Sequence, residues 1–471
     1  MLKKISLAIL IVLNLGLRLY KLDSPIADWH SWRQVDTASV SRYLDQDLST
    51  LFIPRYHDLS NIPSGLENPN GYRMVEFPLY NLLHVATHRL VPSISFDASG
   101  HLASAIISTF SLLFLFLLVE KLYSTRIALI SAALFAVLPF NIYYSRTILP
   151  EPLMVALYLI GAYFFTLSLT STGRKSVLLL LMSSFILSLS LLVKPYALFF
   201  YLPLLYLAIS TLGWKHGLPR LIFLTLLSII PLYTWRYWIT KFPAGIPASD
   251  WLYNKDGLRF RPAWFRWLFA ERISKLIFGY FGVIFLAFGW IRPKTGTAPW
   301  FAHFFFISVL AYFAVFAGGN VTHDYYQAIT MPALCLLSAI GLDYLLTSFS
   351  RVRTYPLILL TLGLTLFLSW YQIRTYYQIN HPEIIAAGEY VDKTLPKDAR
   401  VIAPYMGDTA FLYQTHRAGW PHVTTGIQQM IELGADYYVS VNYDQQTNDI
   451  VNNENYTVIE KNPAFVVVKL H

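Results

Sequence analysis

Residues 176–214 read SVLLLLMSSFILSLSLLVKPYALFFYLPLLYLAISTLGW, an apolar run about twice the ~20 residues that one helix needs to cross a bilayer. Its single charge before the end, Lys194, stands near the middle, where a lone lysine at bilayer depth costs about 2.5 to 3.5 kcal/mol. Pro195 follows at once, and proline suits the first turn of a new helix. Two helices joined by a tip at Lys194-Pro195 remove both difficulties. The run therefore reads as a transmembrane hairpin with its lysine at a membrane surface.

The pattern recurs outward in both directions. The chain is 55% hydrophobic and 13% charged, whereas charged residues make up about a quarter of a soluble domain. Length and charge predict about eleven helices, near 5–22, 99–119, 126–142, 151–170, 176–193, 196–212, 220–238, 273–291, 299–317, 326–347 and 356–373. With the N-terminus inside, Lys121 and Arg126, Arg174 and Lys175, Lys215 and Arg220, Arg292 and Lys294, and Arg351 and Arg353 all fall in short cytoplasmic connections. That is the positive-inside bias; the opposite orientation violates it at every one. The same clusters account for much of the net charge of +9, so nucleic acid is not the partner it suggests. Cys335 is alone in an apolar run, which excludes a disulfide framework and a cysteine metal site. The first run, after Lys3 and Lys4, has no small-x-small cleavage site before Asp23 and reads as a retained helix.

This orientation sorts the polar segments to the outside: 23–98, 143–151, 194–195, 239–272, 318–327 and everything from 374. In the long first loop, 34–47 and 78–90 are too short or too polar to span and read as juxtamembrane helices lying along the interface. Residues 251–272 mix Trp251, Trp264, Phe265 and Trp267 with Arg259, Arg261 and Arg266, a composition suited to the headgroup layer. From 382 the composition turns soluble, with helices at 382–395 and 424–433 and strands at 400–404, 436–441, 456–460 and 464–470. Lys461-Asn462-Pro463 supplies a hairpin turn. The expected architecture is mainly α: a polytopic helix bundle over 1–373 and a small extracytoplasmic α/β domain over 374–471. The tail lacks a clustered set of acids and cations, which predicts a supporting role.

Chemistry concentrates at a few outer positions. Directly after the first helix, Asp28-Trp29-His30-Ser31-Trp32-Arg33-Gln34-Val35-Asp36 gathers two carboxylates, an imidazole and a guanidinium. Such a cluster suits a general base facing a lipid substrate, and equally a solvated loop with aromatic anchors. Glu76 precedes a helical segment, as a second functional acid or as an acid favoured by the helix dipole. Arg146 and Glu151 flank a tight turn, as an ion pair or part of a site. Lys194 is placed for a phosphate, although snorkelling alone would bring it there. His323, Asp324 and Tyr325 open a helix, where ring and hydroxyl donors add to a dipole that favours an anion. No His, Asp or Glu spacing describes a closed metal site, and no nucleophile elbow supports hydrolysis.

Taken together, the acid-bearing first loop, Glu76-Phe77-Pro78-Leu79-Tyr80, Ser145-Arg146-x-x-Leu149-Pro150-Glu151, Lys194-Pro195 and His323-Asp324-Tyr325-Tyr326 resemble a family. They look like the bacterial relatives of protein O-mannosyltransferases and aminoarabinose transferases, of the GT-C fold. The resemblance covers 1–373, and the tail is similar to the small periplasmic domain that many members carry. It implies an inverting glycosyltransferase at the outer face of the plasma membrane, moving a sugar from a polyprenyl-phosphate donor to an acceptor hydroxyl. The acceptor, whether lipid, glycan or protein, is left open, as is a divalent metal. By this resemblance Asp28 is the base with Asp36 in reserve, and Glu76 orients the acceptor. Lys194, His323, Tyr325 and Arg146 attend the donor phosphate, and His30, Arg33 and Glu151 complete the site. The sequence departs from the family in one respect: many members pair Asp with Glu in the first loop, and here Trp29 follows Asp28. The rival class is a transporter or flippase of a lipid-linked sugar, which would carry ionisable groups near mid-span. Here the spans hold little charge apart from Asp343 and Arg236, near their ends.

Overall fold

The apolar run of 176–214 breaks where its charge predicts. Helix Gly173–Val193 stops at Lys194, which is extended (φ −148°, ψ 119°), and a 3-10 turn over Pro195–Phe200 leads into Tyr201–Ile239. That second helical run is itself two helices across Gly213 (φ 71°, ψ 169°), so the spans expected near 196–212 and 220–238 are joined by a tight kink. A left-handed φ is open to glycine without strain and breaks the helix here. This computed structural model describes residues 2–292 and 296–471; Lys294 and the side chains of residues 351 and 353, all expected in cytoplasmic connections, lie outside the described residues.

The chain forms two units. The first comprises Met1–Leu22, His101–Arg236 and Ser249–Thr375. Six helices among the described residues are long and apolar enough to cross a membrane, by length and composition: Phe96–Leu122, Glu151–Thr170, Gly173–Val193, Pro195–Ile239, Asp324–Ser348 and Thr354–Tyr377. The protein is a multi-pass membrane protein, but several of the eleven expected spans are shorter or divided. Leu2–Arg18, Thr125–Val137 and Phe301–Val315 have 17, 13 and 15 residues. Expected helix 126–142 ends at Leu138 because Pro139 begins a separate turn, Pro139–Tyr144. Expected helix 273–291 divides into a π-helical segment, Arg266–Ile277, and Val283–Ile291, with Gly279 (φ 50°) and Tyr280 (φ 64°) in the break.

Serine hydroxyls tie the hairpin of Glu151–Thr170 and Gly173–Val193 together: Ser176 donates to Ser168 O (2.8 Å), Ser183 to Gly161 O (2.8 Å) and Ser190 to Met154 O (2.9 Å). Small polar residues of this kind let helices approach closely where lipid gives no hydrophobic drive. Asp343, one of the charges noted within a span, is paired with Arg126 and, at 2.8 Å, with Arg292.

The second unit comprises Asp23–Gly100, Tyr237–Ala248 and Tyr376–His471. Its sheet is built from β1 (Val401–Ile402), β2 (Gly419–Trp420), β3 (Tyr437–Ser440), β4 (Thr457–Lys461) and β5 (Val466–Lys469), in the order β2-β1-β3-β5-β4. β1 runs parallel to β2 and β3, whereas β5 is antiparallel to β3 and β4. The hairpin turn forms around Asn462, whose Oδ1 accepts from Ala464 N and Phe465 N. Sequence reading missed β2 and the short helices Ala410–Gln414 and Gln445–Val451.

The first outer loop belongs to this unit rather than standing apart from the tail. Asp58 bridges Gly419 in parallel, with Leu59 N donating to Gly419 O and Gly419 N to His57 O, and Leu59 enters the core with Ile402, Trp420 and Tyr438. The loop's two helices occur as Ser31–Gln46 and Leu79–Leu90. Ser31–Gln46 buries Arg33, Gln34, Asp36, Thr37, Ser39 and Ser41 alongside Val35, Ala38 and Val40, so its polar side chains pack within the protein as well as its apolar ones.

Candidate active site

In the second unit, Asp28 is buried where the chain turns into helix Ser31–Gln46. The turn runs through His30 at φ 55°, ψ 34°, a left-handed conformation that costs a residue with a Cβ about 1 kcal/mol or more. Gln34, fully buried in the first turns of the helix, donates from Nε2 to Asp28 Oδ1 (2.8 Å) and to Trp29 O (3.2 Å). Backbone strain next to a buried carboxylate is the kind of feature that clusters at functional sites.

Farther along the helix the charges interlock. Arg33 Nη2 meets Glu76 Oε1 at 2.5 Å and Arg73 Nη2 meets Asp36 Oδ2 at 2.7 Å. Each segment carries a cation followed three residues later by an acid, so the cation of each meets the acid of the other. Asp36 also accepts from Thr409 Oγ1 at 2.8 Å on its other oxygen, Oδ1. Both oxygens of Asp36 are thus engaged in holding structure. Arg73 lies over the ring of Tyr56 (5.0 Å), and Tyr56 OH donates to Asp58 (3.2 Å), which also accepts from Ser60 N (2.8 Å). Burial pushes Asp58 up to about 6 and His57 down to about 4. Burial also lifts Asp408 to about 6, with the Asp36 carboxylate adding to the shift and the Ala410 amide and His30 opposing it. Buried acids resist ionising and buried imidazoles resist protonating for the same reason: the charged form loses its water.

In the first unit, Lys194 and Glu151 are both buried and form an ion pair, Nζ to Oε1 3.1 Å. The acid expected beside Arg146 is therefore paired with the hairpin tip. Arg146, fully buried, donates from Nη2 to Lys21 O (2.9 Å), and its own carbonyl is 2.9 Å from His101 Nδ1. Lys194 Nζ stands 5.7 Å from the ring centroid of Tyr196. His323 and Tyr325 stack at 5.5 Å and Tyr325 and Tyr326 at 4.6 Å, at the head of the 3-10 turn Asp324–Thr330. Asp324, fully buried, accepts from Tyr144 OH and is 3.5 Å from Arg272 Nη1.

Arg272 is the cation that sequence reading missed. It stands at the end of the segment taken as a headgroup anchor, yet its side chain is 13% exposed where that of Arg266 is 80% exposed. Arg272 lies over the nearby Trp267 ring (5.2 Å), but its polar partners, Asp324 and the Val321 carbonyl (3.0 Å), come from about fifty residues away. Arg18 was missed as well. It is fully buried in the first helix and donates to Ser145 Oγ (2.5 Å) and to the carbonyls of Phe135 and Ala136 (both 3.2 Å), where Pro139 frees backbone acceptors. Among the described residues no three His, Cys, Asp or Glu side chains converge as a metal would require.

Against known proteins, the family model of dolichyl-phosphate-mannose-protein mannosyltransferase matches residues 82–238. No curated protein matches the sequence. The structure is similar to ArnT from Cupriavidus metallidurans bound to undecaprenyl phosphate, with a TM-score of 0.65 at 12% identity over 98% of each chain. It is also similar to the apo oligosaccharyltransferase of Archaeoglobus fulgidus, with a TM-score of 0.60 at 13% identity over 93% of this chain and 69% of that one. Arabinofuranosyltransferase AftD from Mycobacteria gives a TM-score of 0.61 at 13% identity; 98% of this chain covers 41% of AftD. By helical architecture, appended sheet and these likenesses, the chain is a multi-pass membrane protein of the GT-C glycosyltransferase fold.

Proposed function

We propose that the protein transfers a sugar, with inversion, from a polyprenyl-phosphate donor to an acceptor hydroxyl at the outer face of the plasma membrane. The observation that carries this reading is the likeness to ArnT, a protein seen with undecaprenyl phosphate, over 98% of both chains. The buried acid and the buried cations supply the chemistry. Asp28 takes the proton of the acceptor hydroxyl as that oxygen bonds to the anomeric carbon. The bond from that carbon to the phosphate oxygen breaks, and polyprenyl phosphate leaves with the electron pair. Lys194 and Arg272, with the His323 and Tyr325 side chains, are the groups to hold the phosphate; out of bulk water such charges and donors act strongly on developing charge. Arg33 and Glu76, paired with one another, orient the helix that follows Asp28. The positive-inside pattern supports a cytoplasmic N-terminus and a tail outside.

The test supplies membranes with a panel of undecaprenyl-phosphate-linked sugars and follows donor loss and undecaprenyl phosphate release by mass. The wild type consumes one donor. Asp28→Asn keeps donor binding and loses about 10²- to 10⁴-fold in rate, the usual share of a general base. Sugar that crosses the membrane with its phosphate bond intact would make the protein a transporter instead.

A further inference from the structure

We infer that the tail is a clamp on the Asp28 segment, and that Gln414 and Thr409 are positioning residues for the reaction proposed above, on which this inference rests. Three contacts from the C-terminal part of the chain bracket Asp28. Two residues before it, Ile26 O accepts from Gln414 Nε2 at 2.9 Å. One residue after it, Trp29 N donates to Tyr376 O at 3.1 Å, and the Trp29 and Tyr376 rings stack at 4.9 Å with an interplanar angle of 21°. Eight residues after it, Thr409 Oγ1 holds Asp36 Oδ1 at 2.8 Å.

Thr409 and Gln414 bound a single short helix, Ala410–Gln414, which is itself fixed at both ends. Asp408 Oδ1 accepts from Ala410 N (2.7 Å) at its start. Toward its end, Tyr413 OH donates to Asp97 (2.6 Å) while Arg42, from helix Ser31–Gln46, lies 3.9 Å from the Tyr413 ring. Behind it is Gly388: a Cβ there would stand 2.5 Å from Gln414 O, so the helix has no room to retreat.

The clamp answers a local need. His30 holds a left-handed φ, and a strained residue keeps its conformation only where its surroundings over-determine it. The segment carrying Asp28 has no regular structure of its own on its N-terminal side, so the course of its backbone depends on where residues 26, 29 and 36 are tied, while Gln34 donates to the carboxylate itself (2.8 Å). Each of the three has a tie from beyond residue 375, and Arg73 adds a second on Asp36. The tail thus acts on the reaction through geometry and not by contact with substrate.

The full-length protein in lipid nanodiscs tests this with Thr409→Val/Gln414→Leu, Thr409→Ser and Asp28→Asn side by side. Three readouts are taken: kcat and KM for the undecaprenyl-phosphate sugar that the wild type consumes, binding of undecaprenyl phosphate, and amide hydrogen exchange. The double variant is expected to lose about 10²-fold in kcat, the scale of a misplacement near 1 Å. It should keep undecaprenyl phosphate binding and exchange faster at 26–36 while β3 and β5 stay protected. Thr409→Ser, which keeps the hydroxyl, should turn over normally. Normal kcat in the double variant beside a dead Asp28→Asn overturns the clamp. So does exchange that rises across the whole sheet together with lost binding, which is plain unfolding. Normal turnover in Asp28→Asn sinks the base assignment alone, and exchange at 26–36 then decides the clamp by itself.

Discussion

The interlocked pairs on helix Ser31–Gln46 are the place to test whether this loop is held by buried charge. Arg73→Met removes a cation whose side chain is 11% exposed and leaves Asp36, 6% exposed, with the neutral Thr409 hydroxyl in place of an ion pair. Breaking a buried pair from one side costs about 3 to 5 kcal/mol, because the abandoned charge stays out of water. The same unit contains its own control: Arg89 and Asp45 pair at 2.7 Å, but with 50% and 28% exposure they contribute about 0 to 1 kcal/mol. At about 2 to 4 °C per kcal/mol for a unit of this size, Arg73→Met should lower the unfolding midpoint by about 6 °C or more. Arg89→Met should move it by a few degrees at most. Adding Asp36→Asn to Arg73→Met removes the stranded charge and should recover part of the loss. The assay is thermal unfolding of the full chain in one detergent, with all variants run together. Equal small shifts for Arg73→Met and Arg89→Met, or a double variant worse than the sum of its singles, would refute the argument that burial makes this pair matter.

Four further outcomes follow from particular contacts. Lys194→Met strands the buried Glu151 and should destabilise the helical unit; adding Glu151→Gln should restore the unfolding midpoint but not undecaprenyl phosphate binding, which separates the structural from the phosphate role. Asp408 titrates at about 6 when folded against 3.8 for the free side chain, so the stability it adds is present below about pH 4 and lost as pH rises through about 6. Asp408→Asn should therefore gain on the wild type in unfolding midpoint as pH is raised across that window. His57 works in the opposite sense, at about 4 folded against 6.5 free: its contribution is present above pH 6.5 and lost as pH falls through about 4, and His57→Gln should lessen the loss of stability in acid. Gly388→Ala puts a methyl group against the Gln414 carbonyl at 2.5 Å and should cost about 1 to 3 kcal/mol; kcat that stays normal despite that loss would count against the clamp.

The helical half of the fold was legible because its causes are local. Apolar runs, prolines and the lone lysine at 194 announce where helices stop, and the break at Lys194 appears where insertion energetics put it. What hydropathy could not supply was the division of 273–291, since the π-helical turn and the left-handed Gly279 and Tyr280 answer to packing and not to composition. The tail's hairpin and longer strands were readable from alternation and turn residues. β2 was not, because two residues, Gly419 and Trp420, carry no period; they form a strand by standing next to Val401 and Ile402.

The site divides along the same line. Its residues in the first loop were visible as a dense cluster of ionisable types after a span, but their partners were not. Asp36 meets Thr409 across 373 positions, Arg33 meets Glu76 across 43, and Ile26 meets Gln414 across 388. A threonine after Gly407-Asp408 or a glutamine ending a short helix has nothing in its neighbourhood to mark it. There is a physical reason for such distant support. Helix Ser31–Gln46 buries six polar or charged side chains among few large apolar ones, so hydrophobic burial gives it little to hold it in place. A helix of that kind must be fixed by ion pairs and hydrogen bonds whose partners come from elsewhere, and leaving any of them unmade is costly. An acid that must reach an acceptor cannot be sealed in an apolar core either. The two constraints together explain why the tail, which reads from its sequence as a supporting domain, supplies ties on both sides of Asp28, and why its loss should appear in kcat before it appears in donor binding.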